Sequence, residues 1–270
     1  MQRYALKFGY DGRGFLGYQR QPEARTVEGD IIAAMLSTKI ISDFKNAGFQ
    51  SASRTDKGVS ALGNVLSVNT EFRRGEIIPA LNASLSGIWF YGISDMPDSF
   101  MPRHANKRRY VYYLPAEGRD LAALKKASRY FIGQHDFWNF CYNVKGKDPV
   151  RIVSKIEIRK SGRYVTVEME APSFLWGMVR KVVAAILKVE SGEKALSDIR
   201  DTLEGGKRCD FGVAPPEFLV LSDVCYDFEF DIAGKTKNRK SGKTIDDITE
   251  RIYKSDTKSI FFREMLRRFG

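Results

Sequence analysis

Cysteine and histidine are scarce in this chain, and that scarcity removes several chemistries at the outset. The three cysteines, Cys141, Cys209 and Cys225, are odd in number and widely spaced, with no Cys-x-x-Cys pair. Such a pattern indicates neither a disulfide framework nor a zinc site. Two histidines, His104 and His135, argue against a histidine-rich metal centre and against a serine–histidine relay. Long apolar runs are missing as well. The most apolar helical stretch is interrupted by Arg180, Lys181 and Lys188, so no membrane span is expected. The opening residues, Met-Gln-Arg-Tyr-Ala-Leu-Lys, lack the apolar segment of a secretory signal, and a cytoplasmic location is expected.

Positive charge, by contrast, is plentiful. Lys and Arg number 44 against 33 Asp and Glu, a formal net charge of +11 in 270 residues that are 43% hydrophobic and 29% charged. A chain of this length and apolar content can bury a core without covalent staples. The cationic excess favours a polyanionic partner such as nucleic acid, because each neutralised phosphate releases counterions.

One stretch draws attention to itself. Ala52 to Asn64 reads Ala-Ser-Arg-Thr-Asp-Lys-Gly-Val-Ser-Ala-Leu-Gly-Asn, between two strand-like runs expected at 49–53 and 64–69. It places a single carboxylate, Asp56, between the cations Arg54 and Lys57, and Gly58 permits a tight or left-handed turn. A carboxylate held by cations on a turn suits a nucleophile or general base. An exposed turn with ordinary charges has the same composition.

The elements around it follow from periodicity. Tyr4, Leu6 and Phe8 alternate with Ala5 and Lys7 as a half-buried strand. A glycine-rich loop follows and contains a literal Gly-x-Gly-x-x-Gly from Gly12 to Gly17. The dinucleotide function of that motif needs a helix N-terminus directly after the glycines, whereas the next helix is expected only from Thr26, running to about residue 43. A nicotinamide site is therefore not expected. A short helix over 77–83 and a strand over 88–93 complete the first half.

Lys107 to Leu114 reads as a strand with Arg108, Tyr110 and Tyr112 on one face. Cations interleaved with aromatics on a sheet can stack bases and hold phosphates, which makes Arg108 and Tyr112 candidate substrate contacts. An edge strand with ordinary tyrosine packing is the plain alternative. Further on, a helix is expected over 121–131 with Gly133 as a left-handed cap, then a hairpin of 153–159 with 164–169 around Ser161-Gly162. An apolar helix follows over 174–190, then a helix over 193–203 ending at Gly205-Gly206 and a final strand over 218–228. Each half offers strands with two helices, which argues an α+β protein of two similar subdomains sharing a sheet. The divisions expected are 1–105, 106–226 and a basic extension, 227–270, containing Lys235, Lys237, Arg239 and Lys240. A basic, amphipathic helix is expected over 259–269. Asp11 and Asp136 read as turn residues. Asp210-Phe211-Gly212 and Gly242-Lys243-Thr244 imitate kinase and P-loop fragments, but the partner motifs that either would need are missing.

Taken in order, several of these stretches resemble the TruA family of tRNA pseudouridine synthases, in its archaeal and eukaryotic branch. They are Tyr10-Asp11-Gly12 with Gly17-Tyr18-Gln19-Arg20-Gln21, Arg54 through Ala61, and Arg108 through Tyr112. Gly133-Gln134-His135-Asp136-Phe137 follows, then Phe174-Leu175 with Met178-Val179-Arg180, and Ala214-Pro215. Lys57 and Ser60 stand where many bacterial members have alanine and histidine, and Tyr18 where tryptophan is frequent. The resemblance implies a catalytic Asp56, a tyrosine at Tyr110 packing on the target base, and Arg180 as cationic partner of the carboxylate. Arg54 then holds the target nucleotide out of its stack, and Lys57 is at most a phosphate contact. Also implied are two ferredoxin-like (RRM-like) halves forming a continuous antiparallel sheet with a basic cleft, usually as a homodimer. The implied substrate is the anticodon stem-loop of tRNA at positions 38–40, with neither metal nor organic cofactor. A non-enzymatic RNA-binding protein or tRNA chaperone using the same basic, aromatic sheet is the alternative, with a nucleotide-dependent enzyme a distant third.

Overall fold

The structure is a computed structural model, and it describes residues 1–142, 148–205, 208–233, 242–266 and 268. Gly206, Phe269 and the basic run of Lys235, Lys237, Arg239 and Lys240 lie outside the described residues.

Strand β1 (Gln2–Tyr10) leads through a 3-10 turn into a long loop and α1 (Val27–Ser37). Thr26 caps α1, its hydroxyl accepting from Gly29 N–H at 3.2 Å. The helix stops short of residue 43. The Thr38 hydroxyl donates back to the carbonyls of Ala34 and Met35, and Lys39 adopts φ 60°, which no helix continues. Strands β2 (Gln50–Ser51) and β3 (Ser60–Thr70) flank the Asp56 stretch, then come α2 (Arg74–Ser84) and β4 (Ile88–Met96).

The second half contains β5 (Lys107–Pro115), α3 (Leu121–Ser128), β6 (Gly133–Asp136), β7 (Val150–Val153), β8 (Lys155–Ser161) and β9 (Tyr164–Ala171). It ends with α4 (Met178–Glu190), α5 (Leu196–Leu203) and β10 (Leu219–Cys225). Gly133 does not cap α3. That helix ends at Ser128, and Gly133, at φ 107°, opens β6. Val153 belongs to β7, because Ser154 breaks the run by bonding twice to the Glu170 carbonyl. Beyond them lie β11 (Asp231–Ile232) and α6 (Gly242–Leu266). Ile245, Ile248 and Ile252 extend the amphipathic period of α6 well upstream of residue 259.

Nine of the described strands join one sheet in the order β11-β4-β1-β3-β10-β5-β9-β8, with β2 also paired to β3. This is an α+β fold on a mostly antiparallel sheet. A wholly antiparallel sheet was the expectation, and the seam between the halves corrects it: β3 and β10 run parallel, Val220 opposite Ser60 and Leu221 opposite Ala61. β10 must run antiparallel to β5 to complete its own half, which leaves it parallel to β3. The seam sets the end of the Asp56 stretch directly against the second half. Buried apolar side chains from both halves form one continuous cluster, from Phe8 and Met35 to Phe131 and Met178.

Candidate active site

The Asp56 stretch is held along its length by backbone and side-chain hydrogen bonds. Ala52 N–H donates to the Val65 carbonyl at 2.8 Å, and the Asn64 amide donates to the Ser53 carbonyl at 3.0 Å. The Thr55 carbonyl accepts from Tyr18 N–H at 3.1 Å, while the Thr55 and Tyr10 hydroxyls share a buried bond of 2.8 Å. Val59 N–H then donates to the Asp56 carbonyl at 3.1 Å, closing a turn with Gly58 at φ 83°. That is the type II geometry, which favours glycine at its third position.

The glycine-rich loop serves as a wall for this turn. A Cβ on Gly12 would lie 2.1 Å from the Val59 carbonyl oxygen, and Gly12 N–H donates to Ser60 Oγ at 3.0 Å. Gly12 permits this close approach of two backbones, and Gly17 is needed for its left-handed φ of 111°.

Both carboxylate oxygens of Asp56 are engaged. Arg180 Nη1 donates to Oδ2 at 2.9 Å and Trp176 Nε1 donates to Oδ1 at 2.8 Å. The Asp56 and Arg180 side chains remain 20% and 15% exposed, so the pair is neither sealed nor fully wet. Arg180 is fixed from behind: its Nε donates to the Ala214 carbonyl at 2.8 Å, and Ala214 N–H donates to the Arg180 carbonyl at 3.2 Å. The expected start of this helix at Phe174 is corrected to Met178. Gly177 precedes it at φ 72°, a conformation outside the helix, and a Cβ there would strike the Tyr142 ring at 2.4 Å. The two partners of Asp56 thus lie just before and within the first turn of α4, where the helix dipole favours a negative charge.

Tyr110 reaches the same region from β5. Its ring is 8% exposed and meets Phe174 edge-on, centroids 5.2 Å apart. Burial pushes its hydroxyl up to about 12, with Arg108 pulling down and Asp56 pushing up. It is a neutral phenol at physiological pH, within the electrostatic reach of the carboxylate.

A family model described as tRNA pseudouridine synthase matches residues 127–227. The tRNA pseudouridine synthase A of Thermococcus sibiricus is 40% identical over 98% of both chains. The chain belongs to the tRNA pseudouridine synthase A family. The synthase of Pyrococcus furiosus is 43% identical over 87% of this chain and 89% of its own. That of Methanococcoides burtonii is 41% identical over 83% and 82%. A solved structure described as an archaeal box H/ACA sRNP Nop10-Cbf5 complex aligns over 68% of this chain and 43% of its own, at 13% identity and a TM-score of 0.32. That likeness is too slight to carry weight.

In this pseudouridine synthase A homologue, Asp56, Arg180 and Tyr110 converge. Arg54 and Lys57 are exposed on either side of the carboxylate, with Arg54 Nη1 donating to Gln19 Oε1 at 3.3 Å. Two of the expected substrate contacts are buried. Arg108 is 7% exposed, and its guanidinium donates to Ser53 Oγ and to the carbonyls of Ala52, Arg103 and Pro172. Tyr112 is 1% exposed, and its hydroxyl donates to the Pro215 carbonyl at 3.0 Å. Their shared face points onto the motif and the seam, where Arg108 holds Ser53 and Ala52 and Tyr112 holds Pro215. Trp176 escaped sequence reasoning, because a helix begun at Phe174 would have made it one more apolar helix residue. Gly177 beside it was the available signal. Among the described residues, no cluster of His, Cys, Asp and Glu could hold a metal, and no helix is long and apolar enough to cross a membrane.

Proposed function

We propose that the chain isomerises uridine to pseudouridine in the anticodon arm of tRNA, with Asp56 starting glycosidic-bond cleavage. The reading is carried by one observation: a partly exposed carboxylate gripped at both oxygens, by Arg180 at 2.9 Å and Trp176 at 2.8 Å, on a rigid turn between exposed cations. The reaction breaks C1′–N1 and forms C1′–C5 within one nucleotide. No electrons are exchanged and no group is lost, so the balance calls for positioned acid, base or nucleophilic groups and nothing further.

Within this reading Tyr110 lies against the target base, Arg54 holds the extruded nucleotide and Lys57 meets a phosphate. Extrusion costs a few kcal/mol of stacking, and an aromatic partner for the base returns about 1–3 kcal/mol. The family relationship supports positions 38–40 as the target, cytoplasmic action and a homodimer. It also supports reading 1–105 and 106–226 as two ferredoxin-like halves either side of the β3–β10 seam, with 227–270 as an extension. A tRNA chaperone is disfavoured by membership of a synthase family, and it would leave Asp56 dispensable.

The test uses unmodified tRNA transcript, with pseudouridine mapped by chemical adduct and primer extension. Asp56→Asn is expected to bind tRNA with nearly unchanged Kd and to lose at least about 10³-fold in rate, the scale of deleting a reacting group. Normal pseudouridine from the variant would sink the assignment.

A further inference from the structure

Past Asp56 and the indole that holds it, the surface continues as a run of aromatic rings and cations that do not touch the carboxylate. Trp176 is 63% exposed, and its ring lies 5.1 Å from that of Tyr142. Lys181 Nζ stands 5.2 Å from the centre of the Tyr142 ring and donates to the Asn139 carbonyl at 3.3 Å. The Asn139 amide donates in turn to the Cys209 carbonyl at 2.7 Å. Beside it, the Arg208 guanidinium lies 4.0 Å from the centre of the Trp138 ring, which is 42% exposed. A recess of about 230 Å³ opens here, bordered by Asn139, Lys181, Arg208 and Asp210.

The rings are placed by the backbone. Trp138 N–H donates to Asp136 Oδ1 at 2.7 Å, and Tyr142 N–H donates to the Trp176 carbonyl at 2.8 Å. Two rigidly held indoles with open surface, each beside a cation or a cation-bearing ring, are not a requirement of the core. Alternating π faces and cations match a single-stranded nucleic acid, whose bases stack while its phosphates seek positive charge. A duplex offers no open base faces to such a run. The run also begins at the indole that holds Asp56, so its occupant belongs to the strand that delivers the reacting nucleotide.

We infer that this track binds the RNA strand flanking the target uridine, with a neighbouring base stacked on Trp138 and its phosphate held by Arg208 and Lys181. The inference rests on the proposed role of Asp56 and adds a second contact site for the same strand.

The experiment measures binding of labelled, unmodified tRNA to the full chain by fluorescence anisotropy across a salt series, with thermal melts of each variant. Trp138→Ala is expected to raise Kd roughly 5- to 150-fold, the stacking of one base, and to leave the salt slope unchanged. Trp138→Phe keeps a π face and is expected to recover most of that loss. Arg208→Ala is expected to raise Kd and to reduce the slope of log K against log salt by about one phosphate contact. Unchanged Kd in both Trp138→Ala and Arg208→Ala overturns the inference and turns the patch over to a protein partner. It is overturned equally if Trp138→Phe loses as much as Trp138→Ala together with a lowered Tm, which marks packing. If Asp56→Asn turns over normally while the track variants bind weakly, the track stands and the catalytic reading falls. The reverse pattern removes the track alone.

Discussion

The two ends of the segment from Ala52 to Val59 are treated differently by the fold. At the first end, the Arg108 guanidinium is enclosed by neutral oxygens: Ser53 Oγ at 3.1 Å, the Ala52 carbonyl at 2.9 Å, the Arg103 carbonyl at 2.8 Å and the Pro172 carbonyl. No carboxylate faces it in these contacts, and burial lowers its pKa from the ordinary arginine value. At the other end, the Arg180 guanidinium pairs with a carboxylate that stays one-fifth exposed, with an open indole on its other oxygen. Two arginines serve one loop, the first as an internal clamp and the second at the carboxylate proposed to react. The difference teaches how a loop can carry chemistry on a rigid scaffold. One end is locked by buried polar contacts so that the other can hold a charge that stays partly open to solvent.

The comparison can be broken most severely at the clamp. Arg108→Ala leaves four oxygens without their donor and opens a cavity, and it is expected to cost about 3–5 kcal/mol of stability. Denaturant unfolding measures this, and kcat corrected for the folded fraction is expected to fall only severalfold. A stable but inactive Arg108→Ala protein would abolish the distinction between the two ends. Arg180→Met is the converse case. It is expected to lower kcat by about 10²- to 10³-fold, the scale of losing one electrostatic partner of a reacting group, with tRNA Kd changed only a few-fold. Equal losses in Kd and kcat would assign Arg180 to binding. The smallest effect is expected at Trp176→Phe, which keeps the ring and loses the N–H to Asp56. A hydrogen bond to a charged group is worth about 1.5–3 kcal/mol, less at an open site, so roughly a tenfold loss in kcat with little change in Tm is expected. An unchanged kcat would leave Arg180 as the sole holder of the carboxylate.

Much of the architecture was legible in local pattern. Alternation marked β1, β5 and the β8–β9 hairpin, and the apolar run marked the body of α4. Asp56 stood out because its neighbours Arg54, Lys57 and Gly58 are adjacent in sequence. Boundaries were less legible where one residue's conformation outweighs the periodic pattern. Lys39 ends α1 early, Gly177 delays α4, and Gly133 opens a strand where a helix cap was expected.

The sequence by itself determined which side chains share a face, since a period of two places Arg108, Tyr110 and Tyr112 together on β5 whatever lies opposite. It also determined a carboxylate on a glycine turn. Only the tertiary structure decided what those faces meet. Asp56 and Arg180 are 124 residues apart, and Arg108 reaches Ala52 across 56. Their meetings depend on the parallel pairing of β3 with β10, a contact between strands that no local pattern specifies. That seam turned two expected substrate contacts inward and brought an indole that sequence reasoning had passed over onto the carboxylate. Short-range forces set the elements here, and burial across the seam selected which of their residues stay exposed.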